Sequence, residues 1–128
     1  KNKIRNVVDD IMKVNPDVLY LADSLGSMNK KNILNLYRNF KKYWKGPMGL
    51  HAHDNINNAL KNSLALEKEG IEWIDSTITG MGRGPGNTKS EDIVKSFKQN
   101  FKYSNFKYFK NYINKNLIPL KKKIQMGN

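Results

Sequence analysis

A chain of 128 residues with 38% hydrophobic residues and thirteen aromatics can bury the core of a single domain, so an intrinsically disordered segment is excluded. With no cysteine, disulfides and thiolate metal sites are excluded as well. The net charge of +12 suggests an anionic partner at first sight. Its distribution argues against nucleic acid: residues 1–100 hold sixteen Lys/Arg against eleven Asp/Glu, whereas the last 28 hold seven Lys and no acid. Lysines strung along amphipathic helices form solvated faces. No run approaches eighteen apolar residues, and the first residues are charged rather than signal-like. The expectation is a soluble, cytoplasmic chain with no membrane association. Without an initiator methionine, it is expected to be a piece of something longer.

In chain order, Ile4, Val7, Val8, Ile11 and Met12 recur at helical spacing and predict a first helix stopped by Asn15-Pro16. Val18 to Ala22 is a short apolar run that predicts a buried strand, followed by loop chemistry at Asp23 to Ser27. Ile33, Leu36, Tyr37, Phe40 and Trp44 mark one face of a second helix, ended by Gly46-Pro47. Met48 to His53 predicts the next strand. A third helix carries Ile56, Ala59, Leu60, Ser63 and Leu64, with Gly70 at its C′ position. Ile71 to Ile78 predicts a third strand, and Gly80 to Asn87 a glycine-rich loop. A further helix begins near Thr88 or Ser90, and one last helix carries Phe106, Phe109, Ile113 and Leu117 before Pro119. Strands alternating with helices imply right-handed crossovers and a parallel sheet, as in a TIM barrel or a doubly wound fold. In either fold, chemistry sits in the loops after the strand ends.

Both histidines of the chain lie in one such place, Leu50-His51-Ala52-His53-Asp54-Asn55. On a strand, residues i and i+2 share a face, so His51 and His53 present two imidazoles to one side, able to converge on a divalent cation. A Lewis-acid site needs oxygen ligands too. Asp23, Asp54 and Asn87 are candidates, with Asp54 better read as an N-cap of the helix near Ile56. The loop before Asn87 holds four glycines in seven residues, which lets backbone approach a ligand closely. It lacks the dinucleotide fingerprint and the lysine and Ser/Thr of a phosphate loop, which excludes nucleotide binding.

Gly49–Asn55 (GLHAHDN), Ala65–Asp75 (ALEKEGIEWID) and Thr79–Asn87 (TGMGRGPGN) together resemble the metal-dependent pyruvate aldolase and acyl-CoA synthase superfamily, the HMG-CoA lyase-like group. Leu21–Met28 (LADSLGSM) and the tail Leu117–Lys123 (LIPLKKK) resemble its 4-hydroxy-2-oxovalerate aldolase branch. The resemblance runs from about residue 15 to residue 123. It implies an α/β fold: the C-terminal half of a (β/α)₈ TIM barrel, with strands five to seven in residues 1–100 and a basic helical extension in residues 101–128. It implies His51 and His53 as metal ligands, Asn87 as a further ligand in the synthase and lyase branches, and substrate contacts at Ser24 and His51. The metal implied is Mn²⁺ or Mg²⁺, with Zn²⁺ or Co²⁺ in relatives. Arg83 falls where relatives vary and receives no role. The implied reaction is cleavage of a 4-hydroxy-2-oxo acid to pyruvate and an aldehyde through a metal-stabilised enolate. Acetyl-CoA-dependent Claisen condensation is the alternative, and a basic anion- or nucleic-acid-binding module the second alternative. The Arg-Asp pair of the family's first strand and its catalytic base are not in this sequence. The chain alone is therefore expected to be inactive, and its open half-barrel to self-associate or to pair with the missing half.

Overall fold

The structure is a computed structural model that describes residues 3–97 and 104–124. The elements are α1 (Lys3–Met12), β1 (Leu19–Asp23), α2 (Lys30–Lys41), β2 (Met48–Ala52), α3 (Ala59–Glu67), β3 (Trp73–Ile74), a 3₁₀ turn (Ile78–Gly80), α4 (Ser90–Ser96), α5 (Ser104–Tyr112), a π-helical turn (Ile113–Leu117) and α6 (Ile118–Ile124). The strands form one parallel sheet in the order β1-β2-β3. Parallel neighbours require crossovers, and α2 and α3 supply them. This is the expected α/β alternation, a fragment of a TIM-barrel-like fold.

The sheet has two unlike faces. Leu21, Met48, Leu50 and Ala52 are buried and join Ile33 and Tyr37 of α2, Ala59 and Leu66 of α3, and Val8 of α1 in the core. Register follows from that burial, since slipping by one residue would turn the whole apolar set outward. The opposite face carries Tyr20, Gly49 and Trp73 in one cross-strand row and Ala22 and His51 in the next. Tyr20 is 38% and Trp73 54% exposed. In a closed barrel this face would line the interior; here it is uncovered.

Helix ends follow local chemistry. Asn29 caps α2, its side chain accepting the Asn32 N–H at 2.9 Å. After α3, the Ile71 N–H reaches the Leu66 carbonyl and the Gly70 N–H the Glu67 carbonyl, with Gly70 at φ +89°. That is the glycine C′ arrangement expected from the sequence.

Four boundaries differ from expectation. Trp44 lies beyond α2, buried in the following turn, where its Nε1 donates to the Pro47 carbonyl. Ile56 precedes α3 and is exposed. The third strand is confined to Trp73–Ile74, although the Glu72 and Asp75 N–H groups still bond the Met48 and Leu50 carbonyls. The last helix continues through Pro119 instead of stopping before it. Proline's ring would meet the carbonyl four residues back in a regular helix. The widened turn just before α6 supplies the irregular geometry in which that conflict is relieved. The expected domain boundary at residue 100 lies outside the described residues.

Candidate metal centre

The end of β2 presents both imidazoles together. The His51 and His53 ring centroids are 5.3 Å apart with planes at 69°, an edge-to-face pair. His51 Nδ1 lies 3.0 Å from Asp75 Oδ2, just beyond β3. The same carboxylate acts on the nearby Tyr20 phenol. Burial, then the charge of Asp75 and the hydrogen bond to it, raise that phenol above its ordinary range. Tyr20 reaches across the sheet because β2 carries Gly49 there. A Cβ at Gly49 would stand 2.5 Å from the tyrosine ring.

The glycine loop completes the site. Asn87 N–H bonds the Gly80 carbonyl, closing the loop on itself, and Asp54 N–H bonds the Gly86 carbonyl. Thr88 N–H then reaches the Ala52 carbonyl, so the returning chain docks beside the end of β2, with Asn87 bridged antiparallel to His53. Thr79, which opens the loop, has the left-handed φ of +59°. That strained turn is held from two sides: both Glu91 carboxylate oxygens accept its N–H, at 3.1 and 2.9 Å, and Lys121 Nζ donates to its carbonyl at 3.0 Å.

Polar satisfaction separates what the site uses from what holds it. Buried polar atoms are nearly always hydrogen-bonded, yet His53 Nδ1 and Asn87 Oδ1 are both buried without a hydrogen-bond partner, on bridged residues. A bare imidazole nitrogen and a bare amide oxygen on two bridged residues are both atom types that can ligate a divalent cation. Among the described residues no three His/Cys/Asp/Glu side chains group to hold a metal.

The remaining candidates fall as follows. Asp23 is buried and committed: its two oxygens accept the Ser27 and Met28 N–H groups at 3.1 and 3.0 Å. The expectation that it could be an oxygen ligand is therefore corrected, because its carboxylate ties the loop after β1. Asp54 is not the N-cap of α3 as expected, a position held by Asn58; from four residues further back its Oδ1 accepts the N–H of Ala59, the first residue of α3, at 2.9 Å. Ser24 is exposed at the end of β1. Continuing the register past Asp23↔Ala52 puts it level with His53. Arg83 is exposed at the loop tip. Tyr20, Asp75, Glu91 and Lys121 were not singled out in the sequence. Tyr20 and Asp75 sit inside apolar strand patterns, and only the strand register brings them to His51.

Residues 1–114 match the family model described as HMGL-like. The chain belongs to the HMGL-like family. Its relatives include the 4-hydroxy-2-oxovalerate aldolase of Pelotomaculum thermopropionicum, 33% identical over 99 residues, which are 77% of this chain and 29% of that protein. The protein of that name from Geobacillus genomosp. 3 is 38% identical over 78 residues, 61% of this chain and 23% of its own length. The chain thus spans less than a third of these curated relatives. Among solved structures, an N-terminal domain from Bacteroides vulgatus superposes with a TM-score of 0.75 at 35% identity, covering 87% of this chain and 37% of that one. Bacillus subtilis HMG-CoA lyase superposes at 0.68 with 23% identity, over 87% of this chain and 44% of its own. The latter shows the shared fold alone. Within the HMGL-like family the expected alternation of elements and the lyase and aldolase resemblance hold. Among the described residues no helix is long and apolar enough to cross a membrane.

Proposed function

We propose that this chain furnishes part of the protein side of a divalent-metal site in an aldolase that cleaves a 4-hydroxy-2-oxo acid to pyruvate and an aldehyde. The observation that carries the reading is the two buried atoms without a hydrogen-bond partner, His53 Nδ1 and Asn87 Oδ1, and the second imidazole 5.3 Å from the His53 ring. His51, His53 and Asn87 hold the cation, Mn²⁺ or Mg²⁺ by preference and Zn²⁺ or Co²⁺ as alternatives. When bound, it supplies Lewis-acid polarisation of the substrate's 2-keto group. The protein's part is positional. The glycine loop brings Asn87 to His53, Glu91 and Lys121 hold that loop, and Ser24 and His51 contact the keto acid at the rim. The curated relatives named 4-hydroxy-2-oxovalerate aldolase support this substrate class over others.

The stabiliser of the developing negative charge and the base that takes the hydroxyl proton are supplied from outside these 128 residues. The chain by itself is therefore inactive, and its uncovered face, with Tyr20 and Trp73, pairs with the rest of a barrel or with another copy. A monomer by light scattering at micromolar concentration would contradict the pairing. The working compartment in this proposal is the cytoplasm, with no nucleic-acid partner: Lys121 of the basic tail is already engaged at Thr79.

Mn²⁺ titration followed by calorimetry tests the site. The wild-type chain takes up one ion, and His53→Ala and Asn87→Ala weaken uptake. Binding unaffected by either substitution would sink the proposal. A second reading, acetyl-CoA-dependent condensation, is favoured by the bare Asn87 carbonyl, since the resemblance gives that position a ligand role in the synthases. Release of pyruvate from a 4-hydroxy-2-oxo acid without acetyl-CoA, by protein that includes the first barrel strand, decides between them.

A further inference from the structure

Three strands contribute to one cluster that neither the sequence nor the family assignment explains. Tyr20 comes from β1, Gly49 and His51 from β2, and Asp75 follows β3. Tyr20, Gly49 and Trp73 share one row, and Ala22 and His51 the next. Asp75 thus lies where it can meet the tyrosine from one row and the histidine from the other. The His51–Asp75 contact is at 3.0 Å, and the Tyr20 phenol lies near enough to that carboxylate to feel its charge. Both members of the His51–Asp75 pair are more than a third exposed, at 37% and 46%. An exposed pair of this kind contributes little to stability. Its geometry is nevertheless specific, because only a glycine at position 49 lets the Tyr20 ring lie across β2.

A carboxylate accepts and cannot donate, so the hydrogen between His51 Nδ1 and Asp75 belongs to the imidazole. In the neutral ring the lone pair is then on Nε2. Metal-binding histidines commonly have their other nitrogen held by such a carboxylate, which fixes tautomer and ring orientation. His53 offers the internal contrast: its Nδ1 is buried with no partner at all.

We infer that Asp75 is a positioning residue that fixes His51 as the Nδ1–H tautomer, with Nε2 as its free lone pair, and that Tyr20, laid over Gly49, steadies the carboxylate. The use of that lone pair rests on the proposed metal site; the tautomer does not. Tyr20 and Asp75 act through His51 rather than on the cation.

The experiment reads the tautomer directly in metal-free, ¹⁵N-labelled chain by long-range ¹H–¹⁵N correlation at a pH where both rings are neutral. With only two histidines, a His51→Gln sample assigns the signals. The expected result is a single Nδ1–H form for His51. Asp75→Ala should convert it to the mixture of an unconstrained ring and leave His53 unchanged. Tyr20→Phe should shift the population part of the way. In a parallel titration, Asp75→Ala should weaken Mn²⁺ binding by about 10–100-fold. An unchanged His51 tautomer in Asp75→Ala would overturn the inference. If Asp75→Ala does not fold, Asp75→Leu keeps the shape without an acceptor, and a wild-type His51 pattern there would overturn it equally. Should wild-type chain bind no Mn²⁺ while the tautomer still responds to Asp75, the metal site fails and the positioning role stands.

Discussion

Two loops flank His53, and they treat their polar groups in opposite ways. The loop after β1 satisfies nearly everything it buries. The Asp23 carboxylate accepts two backbone N–H groups, its carbonyl accepts those of Gly26 and His53, and Gly26 packs directly onto the backbone of His53 and Asn55. The glycine loop after β3 is pinned just as firmly by Glu91 and Lys121, yet it leaves Thr77 Oγ1, Thr79 Oγ1 and Asn87 Oδ1 buried and bare. Both loops follow a parallel strand, at the same end of the sheet. Position in the fold marks where chemistry can sit, and unsatisfied buried polar atoms separate the two loops. The first loop is a brace for β2; the second, in the proposed site, contributes a donor.

The comparison is tested most severely at two glycines of nearly equal conformation. Gly26 has φ +58° and Gly84 φ +57°, so an added side chain strains the backbone at either. At Gly26 a Cβ would also stand 2.6 Å from the Asn55 nitrogen and the His53 oxygen, whereas at Gly84 it meets nothing within 4 Å. Gly26→Ala is expected to destabilise by roughly 3 kcal/mol or more, adding overpacking against rigid backbone to the conformational cost. Gly84→Ala should cost only about 1 kcal/mol. Thermal melts by circular dichroism measure both. Equal losses would mean that the brace does not press on β2 as described.

How much of this was legible beforehand depends on the range of the interaction. Apolar periodicity located α1, α2, β1 and β2 because burial of one face is written into nearest neighbours in the chain. The His51/His53 pair was legible for the same reason, since strand alternation alone puts i and i+2 on one side. Helix limits set by side-chain caps were harder. Ile56 fits a helical stripe, but α3 begins only at Ala59, whose N–H Asp54 accepts, and leaves Ile56 outside. Asp23 illustrates the opposite error: a carboxylate at a strand end looks like a ligand until its two backbone partners are seen. Asp75 and Tyr20 lie 24 and 31 residues from His51, and no local pattern joins them. Strand register creates that cluster.

The next effect is smaller and should change sign between the loops. Asp23→Ala strands the Ser27 and Met28 N–H groups in a buried turn, and the expected cost is about 1–3 kcal/mol. Asn87→Leu removes an amide oxygen that has no partner, so metal-free protein should gain about 1 kcal/mol. The same substitution should abolish the rise in melting temperature that Mn²⁺ gives the wild type, since ligand binding to the folded state is what produces such a rise. Destabilisation by Asn87→Leu in the absence of metal would show that the Asn87 oxygen is satisfied after all.

The smallest effect is placed at the far end of β2, away from both loops. Glu72 accepts the Met48 N–H at 2.9 Å and the Lys41 ammonium at 3.2 Å, where β2 begins. Burial, the largest single influence, pulls this carboxyl upward. The Met48 N–H, the hydrogen bond and charge of Lys41, and its own backbone together hold it below the ordinary range. A folded-state value below the unfolded one adds stability that is fully present above the unfolded value and is lost as pH falls through the folded value. Melting temperature should therefore drop on acidification through and below the ordinary carboxylate range. Glu72→Gln should start slightly lower at neutral pH and fall less. Because Glu72 braces the start of β2 and the imidazoles close its other end, Mn²⁺ affinity at neutral pH should not change. If affinity fell along with stability in Glu72→Gln, the strand would be transmitting strain along its length, and bracing by the loop after β1 could no longer be credited with holding His53 in place.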